Sequence, residues 1–156
     1  MPKGALLRAD CWSLVDIDHI IETALRTPGV CISCSSSHLA TAEARREAGL
    51  CIRYRDKVDA DDCSLWTDDY KPGTFISLTK AADSYPEGGR GGFAEWLKGR
   101  CRTPRQNPNL RETTTASSGG SDLTARMLFY EPLWRVFLQR LMTNLVEDGI
   151  SWLELR

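Results

Sequence analysis

The stretch that most limits how this chain can fold is its last part, residues 130–156, YEPLWRVFLQRLMTNLVEDGISWLELR. Pro132 suits the first helical position, because its ring fixes φ and it lacks an N–H that would be unpaired there anyway. From it, Leu133, Trp134, Phe137, Leu138, Leu141 and Leu145 recur at helical spacing and form one apolar stripe. Arg135, Gln139, Arg140, Asn144 and Glu147 fall largely outside that stripe, so the pattern predicts an amphipathic helix over 132–148. Gly149 can take the positive φ that ends it. Ile150-Ser-Trp-Leu-Glu-Leu155 then reads as a short strand, with Ile150, Trp152 and Leu155 available for burial. A helix that passes into a strand through a glycine turn is half of a βαβ unit. A buried parallel strand is expected to have neighbours on both sides, and no segment after Arg156 supplies one.

With 156 residues, 42% of them hydrophobic, the chain is long enough for one domain with its own core. Lys and Arg total 20 against 21 Asp and Glu, so no charge bias points to nucleic acid or an anionic membrane. The sequence has no apolar run of spanning length, and its start, MPKGALLRADC, lacks the apolar core of a signal peptide. Six cysteines, Cys11, Cys31, Cys34, Cys51, Cys63 and Cys101, are scattered along the chain. Cys31-Ile-Ser-Cys34 is a C-x-x-C, but no second pair stands at zinc-ribbon spacing and the flanks are not thioredoxin-like. Free, partly buried cysteines are the expected state in a reducing compartment.

Ala5-Leu-Leu7 reads as a short buried strand. Asp16 or Asp18 caps a helix carrying Ile17, Ile20, Ile21, Ala24 and Leu25, which Pro28-Gly29 stops. His19 is expected on the exposed face of that helix, and His38 in a polar loop. Further on come a strand at 30–34, a helix over 41–49 and an alternating strand at 50–55, then a solvated acidic turn with Asp59, Asp61 and Asp62. That turn lacks the glycine and distal glutamate of a calcium loop. Thr74–Leu78 is a candidate strand, and Glu87-Gly-Gly-Arg-Gly-Gly92 a flexible hinge with no phosphate-loop lysine after it. Phe93–Lys98 is expected to make one or two helical turns. Residues 100–122 hold prolines, a threonine run and a Ser-Gly-rich piece, the composition of a flexible linker. Its Arg100, Arg102, Arg105 and Arg111 lack the interleaved aromatics of a nucleic-acid surface.

Two stretches carry a family resemblance. Met1-Pro-Lys-Gly-Ala-Leu-Leu7 resembles the first barrel strand of the secreted-type adenosine deaminases (the adenosine deaminase-related growth factors), which reads PKGALLHxHxDA. Residues 130–156 resemble that family's long helix and second barrel strand, and 16–34 its first helix and turn. The resemblance implies an α/β fold, an incomplete TIM-type (β/α) barrel fragment of two strands with intervening helices and an insertion. It also implies an ancestral zinc-dependent hydrolysis of adenosine to inosine and ammonia, at the C-terminal face of the barrel. A bridge from Cys63 to Cys31 or Cys34 is favoured by the same likeness; it would close a loop of about 30 residues and stabilise it by a few kcal/mol.

The departures fall on the chemistry. Arg8-Ala9-Asp10 stands where the family has the H-x-H metal pair, so Arg8 and Asp10 occupy the ligand positions. Two histidines at i and i+2 grip one ion from one side of a strand, whereas a guanidinium cannot ligate. Trp12 falls at the family aspartate that helps hold the nucleoside, and an indole does not replace that charge. The remaining ligands and acid–base groups of the family lie on later barrel strands, beyond this sequence, and Glu154 alone makes no site. The expected state is a catalytically inactive deaminase relative that binds no zinc. The alternative is an interaction protein that uses the helix over 132–148 to bind a partner, a homologue or itself. Members of the resembled family are often secreted.

Overall fold

The computed structural model describes residues 4–9, 14, 16–35, 39–58, 63–102 and 120–155. In chain order they form β1 (Gly4–Ala9), α1 (Ile17–Arg26), β2 (Val30–Cys34), α2 (Ala42–Glu47) and β3 (Leu50–Tyr54). Then follow β4 (Ile76–Ser77), α3 (Leu78–Asp83), α4 (Gly89–Arg102), α5 (Gly120–Leu128), α6 (Glu131–Glu147) and β5 (Ile150–Leu155). The class is mixed α/β: β1 and β5 pair in parallel, and a separate antiparallel sheet runs β3-β2-β4.

The first helix forms where its cap and stripe place it. Asp16 accepts from the His19 N–H at 3.2 Å, which makes it the N-cap in preference to Asp18. Ile20, Ile21, Ala24 and Leu25 are buried on one side. At the far end the Leu25 carbonyl accepts from the Thr79 hydroxyl at 2.9 Å and from Arg90 at 2.7 Å, so α1 is tied to α3 and α4. Next, β2 is the centre of its sheet, and all five of its residues are buried. Thr41 caps α2 by accepting from the Ala44 N–H at 3.2 Å.

The candidate strand at 74–78 shrinks to Ile76–Ser77, because Leu78 opens α3 and buries its side chain there. The expected glycine hinge is corrected more sharply. Gly89, Arg90, Gly91 and Gly92 form the first turn of the 14-residue α4, which buries Phe93, Leu97 and Cys101. Arg100–Arg102 end α4 and residues 120–122 begin α5; the rest of the predicted linker lies outside the described residues. Arg100 is committed locally: its guanidinium donates to the carbonyls of Arg46 and, at 2.5 Å, Ala48, closing the C-terminal end of α2. Burial lowers its pKa below the usual arginine value.

The stripe of α6 points inward. Leu133, Phe137, Leu141 and Leu145 are buried, and Trp134 and Leu138 pack on the same core as α1 and α5. Gly149 adopts φ 70° and turns the chain into β5. One apolar core runs from α1 through both sheets' neighbouring helices to α6, so the stripe is satisfied by its own chain. No helix of the described residues is long and apolar enough to cross a membrane.

Candidate functional site

The parallel register Gly4↔Ile150, Leu6↔Leu153 and Ala9↔Leu155 brings the C-terminal ends of β1 and β5 side by side. This is the end at which the expected ligand positions lie. Arg8 belongs to the backbone of β1, but its side chain, like Asp10 and Trp12 altogether, lies outside the described residues. On β5, Leu153 and Leu155 pack against the core, while Trp152 on the opposite face is 49% exposed, so its expected burial does not occur within this chain. Ile150, on the same side of the strand by alternation, does pack against the core, so the exposure is at Trp152 itself and not along the whole face. Glu154 shares the Trp152 face.

Among the described residues no group of three or more His, Cys, Asp or Glu side chains could hold a metal ion. His19 is half-buried, not exposed, beside Asp16, Phe137, Arg140 and Asn144 in a narrow cleft between α1 and α6. Arg140 reaches Asp16 at 3.7 Å across it. His38, Asp59, Asp61 and Asp62 lie outside the described residues.

The cysteines separate into distinct environments. Three residues apart on β2, Cys31 and Cys34 point to opposite faces. The Cys31 thiol donates to the Gly29 carbonyl at 3.5 Å. Cys34 instead meets Tyr70, whose hydroxyl accepts from the Cys34 N–H at 2.8 Å and donates to Thr74 O at 2.8 Å. Burial raises the Tyr70 pKa, and the hydrogen bond from the Cys34 N–H works against that rise. Cys31, Cys34 and Cys63 are all thiols here. The Cys63 thiol donates to the Asp69 carbonyl at 3.9 Å, one residue before the Tyr70 that meets Cys34, so of the two pairings open from sequence Cys34 with Cys63 is the one expected. Refolding under a glutathione redox couple is expected to yield that bridge, seen by mass spectrometry of digested peptides, and to stabilise the fold by about 2 kcal/mol. A Cys31–Cys63 peptide as the main product would contradict the arrangement.

One concave feature was not foreseen from the sequence. Ile52, Arg53 and Tyr54 of β3 meet Arg126 and the 129–130 junction before α6 around an open groove of about 510 Å³. Tyr54 and Tyr130 stack with ring centroids 4.1 Å apart and planes 12° apart. A Cβ on Gly29, which sits at φ +83°, would lie 2.3 Å from the Tyr54 ring, so glycine is what lets the ring lie there. Tyr54 donates to Asp56 at 2.6 Å, and this hydrogen bond to the carboxylate pushes its pKa up to about 12. Arg126 is steadied by the Cys51 sulfur at 3.7 Å. The alternation of Leu50–Arg55 signals the strand, but the pairing of Tyr54 with a ring 76 residues later leaves no local trace.

Comparison with models of known protein families, with curated proteins and with solved structures finds no match to this chain.

Proposed function

We propose that this chain is a catalytically silent relative of the adenosine deaminases, corresponding to the opening strands of their barrel with an inserted α/β subdomain. The observation that carries the reading is the parallel pairing of β1 with β5, delivered by α6 through Gly149. In a (β/α)₈ barrel the first two strands are parallel neighbours and a helix feeds the second. The antiparallel β3-β2-β4 sheet and its helices lie between them in sequence, in the place of the insertion. The exposed Trp152 would then lie on the side that looks into a barrel.

Silence follows from the residues at the strand end. In the resembled family, zinc lowers the pKa of bound water so that hydroxide attacks C6 of adenine. Arg8 and Asp10 replace the two histidines of the ligand pair, and a permanent cation at the first position repels a divalent metal. The residues present do not fit the metal, so no catalytic step is assigned to them.

Two measurements test the parts separately. Purified chain incubated with adenosine and added zinc is expected to produce no inosine by absorbance; zinc-dependent turnover that co-purifies with the chain would overturn the silent reading. Amide exchange is expected to protect 4–9 and 150–155 together; free exchange of both strands would remove the barrel reading itself.

A further inference from the structure

The groove between β3 and the α5–α6 junction gathers aromatic and cationic groups that the proposed ancestry does not use. Phe129 is 79% exposed at its rim, the most exposed large apolar side chain among the described residues, and Tyr54 beside it is 44% exposed. Single exposed apolar side chains are ordinary, but here three aromatic rings and two guanidiniums line one concavity. Arg126 and Tyr130 stand one helical turn apart in sequence, and Tyr130 is already stacked on Tyr54, so the aromatic wall is rigid before any ligand arrives. Rigid walls lower the ordering cost of binding.

We propose that this groove binds a small planar aromatic molecule carrying a phosphate. The ring system would lie against Phe129 and the Tyr54–Tyr130 pair, and the phosphate would meet Arg53 and Arg126. Aromatic side chains accept planar rings by stacking, and arginine forks pair with phosphate through two parallel N–H bonds. A groove of about 510 Å³ lies in the range that takes a ligand of this size. Asp56, which accepts from the Tyr54 hydroxyl at 2.6 Å, is not among the residues that line the groove. The site uses no residue of β1 or β5 and stands whether or not the deaminase reading does.

Flavin mononucleotide is a suitable probe, because its fluorescence is quenched when the ring stacks on tyrosine. Saturable quenching is expected at a concentration of about 0.1 mM, the affinity that one stacking contact and two charge-assisted bonds support. Riboflavin, which lacks the phosphate, should bind at least about fivefold more weakly. Phe129→Ser and Arg53→Gln each change an exposed side chain, so both should keep the wild-type circular dichroism while weakening the probe about fivefold. Quenching by riboflavin as strong as by the mononucleotide would overturn the proposal. So would full competition by inorganic phosphate at the same concentration, unchanged binding in both folded variants, or no saturation up to millimolar probe.

Discussion

Replacing Gly92 with alanine is expected to destabilise the fold by about 3 kcal/mol, the upper end of what overpacking costs. A Cβ at this position would lie 1.8 Å from the Glu87 carbonyl oxygen and 2.9 Å from its carbonyl carbon. Both are backbone atoms, so no side-chain rotation relieves the clash. The turn ahead of α4 would have to open, and with it would go the position of Glu87, which holds Arg45, and of Tyr85, whose ring lies 3.3 Å from the same point. Gly99 provides the control in the same helix. Nothing stands within 4 Å of a Cβ there, so Gly99→Ala should be neutral or stabilise by up to about 1 kcal/mol, because alanine has the higher helix propensity. Urea unfolding of both variants checks the pair. Equal midpoints for Gly92→Ala and wild type would mean that the helix does not begin against the Glu87 carbonyl.

That same position shows where sequence reading stops. The run from Glu87 to Gly92 has the composition of a hinge, and glycine does carry high conformational entropy in the unfolded chain. What makes it a helix start is a contact with its own upstream backbone and the burial of Phe93, Leu97 and Cys101 behind it. Tertiary packing overrides propensity here, as it does for the segment 74–78, where Leu78 turns into α3 instead of extending a strand. By contrast, Asp16, the α1 stripe, the β2 and β3 runs, the α6 stripe and Gly149 act locally, and each does in the fold what its pattern predicts. The groove was invisible for a different reason. Its rings come from separate elements, and the glycine that admits Tyr54 reads in sequence only as the end of α1. As for the expected metal positions, Arg8 and Asp10, and the nucleoside position, Trp12, the Arg8 side chain and both other residues lie outside the described residues, so their reading rests on the sequence and on the strand pairing that would carry them.

Arg45→Met is expected to cost about 3 kcal/mol, because it takes the donor from the buried Leu39 carbonyl and breaks the bond to the Ala40 carbonyl beside it. Arg45 is 4% exposed, the buried cation of α2. One of its terminal nitrogens donates to the carbonyls of Leu39 at 2.9 Å and Ala40 at 2.8 Å, and the other pairs with Glu87. Its guanidinium also sits 5.7 Å from the centre of the Tyr85 ring, at the edge of an aromatic cluster in which Tyr85, Phe93 and Trp96 surround Trp66. The sequence marks 41–49 as a helix without singling out Arg45; its burial comes from the fold. Methionine keeps most of the volume and apolar contact but donates nothing, so the loss reports the hydrogen bonds, not a cavity. The Glu87 carboxylate is 60% exposed and can be rehydrated, so Glu87→Gln should cost much less, about 1 kcal/mol or below. If the two variants prove equally destabilised, the ion pair with Glu87 and not the pair of carbonyls carries the contribution of Arg45. If Arg45→Met proves neutral, the 39–45 turn is held by its backbone alone.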